Sequence, residues 1–264
     1  LEVILIENIG VVHMEIYSLK KLAKGCYLHV LHLKDYDVEL LRNIDEKIIQ
    51  ICEGDSESPL DLVKKRLKDF LSSKDLTKQG AIAEFFIHLY LNNNNYKPEF
   101  IFYNLEETSI KKGFDGFYSK ENETYIVESK SGSCTSKKIS HSVKINEAYQ
   151  DIVDNLSGKS KKGKNNPWKN AYYHANLIDV GSAKSIRSKI AELRENFDRG
   201  IFCDVKDFNI IPCSTIFLDD IWTNQWSDDF IRNNSVLEKI SGKNIDVIVV
   251  TKKNIKHFED YLNV

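Results

Sequence analysis

The chain has 264 residues, of which 42% are hydrophobic and 29% are charged, and its formal net charge is -2. These totals are typical of a globular protein with a real core. They exclude a strongly basic protein that coats nucleic acid, although an enzyme with a local basic groove remains compatible with them.

The five cysteines are far apart and show no CxxC or Cys/His spacing. A structural zinc site and a disulfide framework are therefore not expected, and a reducing cytoplasm fits this usage. The opening segment Leu1–Ile6 is apolar but contains Glu2 and follows no basic region. It predicts neither a signal peptide nor a membrane span, so we expect a cytoplasmic protein without a membrane partner.

Residues 14–78 show mixed strand and helix patterns. Tyr27–Leu33 is strand-like, whereas Val38–Cys52 and Pro59–Leu71 have helical periodicity with charged outer faces. No set of residues with an evident chemical role is visible here. We therefore interpret residues 1–78 as an N-terminal α+β cap or scaffold.

From Gly80 onward the pattern is helix, three strands, two helices and further strands. Ala81–Leu91 predicts a buried helix that stops at Asn92–Asn95. The further predicted elements are strands at Phe100–Asn104, Gly113–Tyr118 and Thr124–Lys130, a helix at Lys137–Leu156, a loop at Ser157–Asn166, a helix at 183–198, and strands at Asn209–Leu218 and Ile245–Thr251. Residues 79–264 are thus predicted to form an α/β domain with helices packed on a mixed sheet.

Two aromatic-rich strands around Lys120–Glu123 predict a β-hairpin. Side chains alternate along a strand, so Glu128 and Lys130 share one face. A two-residue loop at Glu121-Asn122 would place Asp115 directly opposite Glu128. A slip of one residue would turn Asp115 to the other face, so this register decides whether the three charges converge.

Two adjacent carboxylates favour a divalent cation between them, and Mg²⁺ binds one or two protein carboxylates while keeping several waters. We expect Asp115 and Glu128, with the Ser129 carbonyl, to hold Mg²⁺ or Mn²⁺. Such an ion polarises a phosphoryl oxygen and acidifies a water, and Lys130 would position that water or stabilise negative charge.

Glu84 lies inside the apolar helix, where an unpaired charge would be costly. A metal site or Lys130 would explain its presence, so it is a candidate accessory acid. A solvated position on a narrow polar face of the helix is the alternative. His88, one turn later, could join a metal site, but a lone histidine on an apolar helix is more often a core residue.

Several lysines are candidates for contacts with nucleic-acid phosphates, namely Lys137, Lys138 and Lys144 after the Glu128–Lys130 strand and Lys161, Lys162 and Lys164 in the following loop. A solvated loop is the alternative for the second group. Trp222 and Trp226 are compatible with either a partner surface or the core.

The acid-x-Lys pattern occurs elsewhere, as Asp45-Glu46-Lys47 and Asp204-Val205-Lys206. The first lies in a helical pattern, where residues two apart diverge. The second has Asp198 six residues upstream, too close for two full strands. Only Glu128 is preceded by a strand with a well-spaced Asp, although an edge hairpin with surface charges is the alternative for this set too.

The order of these residues resembles the PD-(D/E)xK nuclease superfamily, with Glu84 on the first helix, Asp115 on the second strand, and Glu128-Ser129-Lys130 on the third. More narrowly, Gly80-x-x-x-Glu84, Gly113-Phe-Asp-Gly116, Val127-Glu-Ser-Lys130 and Ile211–Leu218 look like the HamA-type nuclease subunit of the Hachiman anti-phage defence system. The resemblance covers roughly residues 79–218 and does not extend to the first 78.

The resemblance implies a restriction-endonuclease-like core and a metal-dependent DNA nuclease, the effector of a bacterial defence complex controlled by a HamB-like helicase subunit. The alternatives are an autonomous sequence-specific restriction endonuclease and a non-catalytic subunit in which the same acids are structural. No P-loop or nucleophile elbow is present, so we do not expect the chain to hydrolyse ATP.

Overall fold

One mixed sheet with helices on both faces organises the molecule. The computed structural model describes residues 15–23, 25–72, 77–102, 113–160 and 166–263. Within them the strand order is β1-β2-β7-β6-β5-β4-β3. Strands β2, β7, β6 and β5 are parallel neighbours, whereas β1 pairs antiparallel with β2, β4 with β5, and β3 with β4. The α/β fold class predicted from the sequence is confirmed.

The strands are β1 (Glu15–Ala23), β2 (Cys26–Leu33), β3 (Lys97–Pro98), β4 (Gly116–Lys120), β5 (Glu123–Ser133), β6 (Asn209–Phe217) and β7 (Ile245–Lys252). Every residue of β6 is buried. A parallel strand covered on both faces is expected to be a nearly continuous apolar run, which is how the predicted strand at Asn209–Leu218 appears in the sequence.

The helices are α1 (Val38–Glu53), α2 (Leu60–Ser72), α3 (Lys78–Asn93), α4 (His141–Leu156), α5 (Pro167–Ala175), α6 (Lys184–Asp198), α7 (Gln225–Arg232) and α8 (Lys256–Leu262). Apolar residues of α1, α2, α3 and α8 form one buried cluster on one face of the sheet. Those of α4, α5, α6 and α7 form a second cluster on the other face. Val127 belongs to the first cluster and Ile126 to the second, as strand alternation requires.

The sheet and the first cluster extend across the boundary that the sequence analysis drew at residue 78. Strand β2 is hydrogen-bonded to β7 over its whole length, from Cys26 to Leu33. Helices α1 and α2 pack in the same cluster as α3. Residues 15–72 therefore share one sheet and one core with the predicted nuclease domain.

The strand predicted at Phe100–Asn104 is wrong for residues 100–102, which form no strand, and residues 103 and 104 lie outside the described part. Phe100 packs in the second cluster and Phe102 in the first, whereas residues two apart in a strand share one face. The backbone amide of Phe102 instead donates to the carbonyl of Ile51 in α1, at 2.8 Å.

The helix predicted from Lys137 begins only at His141. Lys138 has a φ of 58°, in the left-handed region, so the chain cannot continue a helix through it. The side chain of Ser140 then accepts a hydrogen bond from the amide of Val143 and caps α4. Among the described helices none is long and apolar enough to cross a bilayer.

Candidate active site at the β4–β5 hairpin

The hairpin has the register predicted from its two-residue loop. Lys120 pairs with Glu123, Tyr118 with Tyr125, and Gly116 with Val127. Glu121 and Asn122 have φ values of 49° and 67°. Positive φ at both loop residues matches the tight turn that favours the right-handed twist of a hairpin.

Asp115 immediately precedes β4 and comes next to Glu128 when this register is continued by one residue. Its Oδ2 atom accepts a hydrogen bond from the backbone amide of Ser129, at 2.8 Å. The Asp115 carboxylate is thereby fixed to the backbone of β5, between Glu128 and Lys130 in sequence.

Glu128 and Lys130 lie on the face of the sheet that α4 covers. The Lys130 Nζ atom donates to Glu128 Oε1 at 2.5 Å and forms an ion pair with Asp151 Oδ2 of α4 at 2.9 Å. Because side chains alternate along a strand, Glu128 and Lys130 point to the same face as Ile126, which packs in the second cluster beneath α4. The structure thus brings together Asp115, Glu128 and Lys130, as predicted.

Burial and the neighbouring charges shift the pKa values of Glu128 and Lys130. Glu128 is only 4% exposed. Burial, and next the negative charge of Asp115, raise the pKa of Glu128 to about 8, although Lys130 acts in the opposite direction. For Lys130, burial lowers the pKa, but the charges of Glu128 and Asp115 outweigh it and raise the pKa above its ordinary value. Lys130 therefore carries a proton at neutral pH.

The donor set fits a hydrated hard cation. Among the described residues no group of three or more His, Cys, Asp or Glu side chains is arranged as a metal cage. Two carboxylates suffice for Mg²⁺ or Mn²⁺, which complete their coordination with water. A divalent cation would also relieve the repulsion between Asp115 and Glu128 that contributes to the raised pKa. The Ser129 carbonyl oxygen lies 3.5 Å from Lys130 Nζ and belongs to the same cluster.

Glu84 lies on the opposite side of the hairpin. Its Oε1 atom is 3.5 Å from Nε2 of His88, and His88 Nδ1 shares a hydrogen bond with the hydroxyl of Tyr118. Tyr118 and the apolar residues of α3 belong to the first cluster, whereas Glu128 and Lys130 face α4. The side chain beside Glu84 here is His88, rather than Lys130 as the sequence suggested.

The predicted phosphate-contacting lysines fall into two groups. Lys137 and Lys138 are exposed in the turn before α4, and Lys144 lies in its first turn, paired with Glu147 at 2.8 Å. The Lys144 Cε atom would be 3.3 Å from a Cβ added to Gly132, so it lies over the carboxyl end of β5. Lys161, Lys162 and Lys164 lie outside the described residues.

Trp168, beside the predicted lysine loop, is fully buried in the second cluster. Trp222 and Trp226 are half-buried, and Trp222 packs edge-on against His32.

The rival acid-x-Lys tripeptides do not form comparable clusters. Asp45-Glu46-Lys47 lies within α1. Asp204 accepts a hydrogen bond from the amide of Lys206 at 2.9 Å and caps a short turn. Neither tripeptide belongs to a strand, so the argument that favoured Glu128 from the sequence agrees with the structure.

Asp151 is the residue that the sequence analysis missed. Its signal was present but weak, because Lys144, Glu147 and Asp151 recur at i, i+3 and i+7 on one face of α4. Such a charged face is usually solvent-exposed. Only the docking of α4 on β5 reveals that this face overlies Lys130.

The chain was also compared with known proteins. Among curated proteins, none matches it. A family model described as HamA matches residues 12–263, which include the first strands and helices as well as the hairpin. The chain therefore belongs to the HamA family.

Proposed function

We propose that this HamA-family chain is a metal-dependent nuclease that hydrolyses DNA phosphodiester bonds as the effector of a Hachiman defence complex controlled by a helicase subunit. Family membership supports the role as a defence subunit. The nuclease activity is inferred from one observation: two carboxylates and a protonated lysine converge on one buried face of the hairpin.

Asp115, Glu128 and the Ser129 carbonyl are the groups that would hold Mg²⁺ or Mn²⁺. When bound, the ion would polarise a phosphoryl oxygen and acidify a water. Lys130 has an ammonium group with three donors and no acceptor. It can donate hydrogen bonds to the attacking water or to the charge that develops on the phosphate, and it is suited to electrostatic stabilisation because it stays protonated.

The net charge of -2 supports the involvement of a partner. A nearly neutral chain has no overall positive field to attract DNA, so its own affinity should be modest. The exposed Lys137 and Lys138, near the carboxyl end of β5, would guide the phosphate backbone toward the site. A helicase subunit would supply the remaining affinity and deliver the strand.

The test is incubation of the purified chain with supercoiled plasmid in Mg²⁺, Mn²⁺ or EDTA, alone and with any helicase that is encoded beside it. Lys130→Ala should abolish metal-dependent cutting. Lys206→Ala is the matched control, because Lys206 is exposed and belongs to a rival acid-x-Lys tripeptide.

Circular dichroism and urea unfolding would show whether each variant remains folded. Site-specific cutting without a partner would instead favour an autonomous restriction enzyme. Retained activity of the assembly in a folded Asp115→Asn variant would favour a non-catalytic subunit.

A further inference from the structure

The Lys130 ammonium is held from two directions by acids on different elements. Glu128 Oε1 of β5 lies at 2.5 Å and Asp151 Oδ2 of α4 at 2.9 Å. The side chains of Lys130 and Asp151 are 21% and 27% exposed, so the pair is largely shielded from solvent. Shielding strengthens a charge-assisted hydrogen bond relative to one on an open surface.

Helix α4, which carries Asp151, is anchored on the sheet. Ser140 caps its first turn, and His141 contacts Ser214 of β6 at 2.8 Å and Thr251 of β7 at 3.3 Å. Its apolar side, with Ala148 and Ile152 beside Asp151, is buried against the sheet. A helix anchored at its start and along one side can hold a carboxylate at a defined place over β5.

The neighbouring acids of α4 have partners on the same helix. Glu147 pairs with Lys144 at 2.8 Å, and Asp154 accepts a hydrogen bond from Gln150 at 2.8 Å. Asp151 instead reaches across to a residue of the candidate site. This difference between Asp151 and Asp154, one turn apart on the same helix, points to a role for Asp151 beyond the solubility of the helix.

We propose that Asp151 is a positioning residue that keeps the Lys130 ammonium in place when Glu128 binds a divalent cation; the proposal rests on the proposed function. A carboxylate that coordinates a cation is a weaker acceptor for a lysine. Without Asp151, Lys130 would either compete with the cation for Glu128 or move away. When Asp151 is present, Glu128 can bind the cation while the Lys130 ammonium keeps a position from which it can contact the phosphate.

A metal-free experiment tests the contact itself. The unfolding equilibrium of the full chain in urea with EDTA is measured for Lys130→Met, Asp151→Asn and the double variant, all in a Glu128→Gln background that removes the competing charge. We expect the two changes to be coupled by about ten-fold in the unfolding constant. Asp154→Asn combined with Lys130→Met is the control and should be additive. Additivity for Asp151 as well would overturn the proposal.

Cutting kinetics of the same chain, with its helicase where needed, test the role. Asp151→Asn should lower kcat by about ten- to hundred-fold with KM unchanged, a range typical for residues that orient groups around a metal. Asp154→Asn should change neither constant. A wild-type kcat for Asp151→Asn would overturn the proposal even if the coupling is present. Absence of cutting by the wild type would overturn the proposed function instead, and the metal-free coupling would still report whether Asp151 holds Lys130.

Discussion

The β4–β5 hairpin has a carboxylate-centred cluster on each of its faces. Toward α4, Asp115 and the buried Glu128 lie close to Lys130, whose pKa both charges raise. Toward α3, Glu84 has His88 as its partner, and Tyr118 completes a small network. The first cluster brings two carboxylates beside one ammonium, whereas Glu84 lies beside a histidine. The α4 side is therefore the one whose donor set fits a divalent cation.

The sharpest test of this comparison removes one charge from each cluster without changing its shape. Glu128→Gln should lower the rate of DNA cutting by at least about a hundred-fold, because a cation ligand and one of the two acidic partners of Lys130 are lost together. Glu84→Gln should lower it by less than about ten-fold, because Glu84 lies behind the hairpin. Initial rates on supercoiled plasmid measure both. Equal losses in two folded variants would mean that Glu84 belongs to the same site.

The pH dependence of stability gives a second, smaller effect. In the folded protein the pKa of Glu128 is raised from 4.5 to about 8, so the unfolded chain binds fewer protons in this window. Metal-free stability should therefore fall as pH rises from the unfolded to the folded pKa, by on the order of a few kcal/mol. Glu128→Gln should remove this decline.

Urea unfolding in EDTA at about pH 5 and about pH 8.5 measures the effect near the two ends of the window. Titrating groups distant from Glu128 affect both proteins alike, so the relevant quantity is the difference between wild type and variant. A difference that stays constant with pH would contradict the raised pKa of Glu128.

A substitution on the α3 side of the hairpin should lower the free energy of unfolding and leave DNA cutting unchanged. Tyr118 is fully buried and its hydroxyl is bonded to His88. Tyr118→Phe should cost about 1–3 kcal/mol, since it leaves a buried ring nitrogen without this partner. The free energy of unfolding in urea measures the loss. Cutting by the remaining folded protein should be unchanged, and a large fall in kcat at unchanged stability would show that this network serves the site.

Much of the site could be predicted because it depends on local rules. The two-residue loop sets the hairpin register, and alternation then fixes which side chains share a face. Helix periodicity likewise predicted α1, α2, α3 and α6 to within a few residues. The predicted start of α4 was wrong because Lys138, in the turn before it, adopts a left-handed conformation. A lysine does not usually indicate such a conformation in the sequence.

Contacts between distant elements could not be predicted in this way. Nothing in the sequence around Phe100–Phe102 shows that the Phe102 amide bonds to α1 rather than to a strand. The separation of residues 1–78 as a cap overlooked that β2 completes the sheet beside β7, more than 200 residues later. Local patterns predict the type of an element and the side that it buries. They do not predict which other element packs against that side.

The sequence by itself determined the hairpin, the convergence of Asp115, Glu128 and Lys130, and the α/β class, because periodicity, turn length and residue chemistry act over a few residues. The tertiary structure alone decided that Glu84 pairs with His88, that Asp151 reaches Lys130, and that the first strands join the sheet. These contacts depend on which faces of α3, α4 and β2 dock onto the sheet. Docking is set by the packing of the whole core rather than by any single segment.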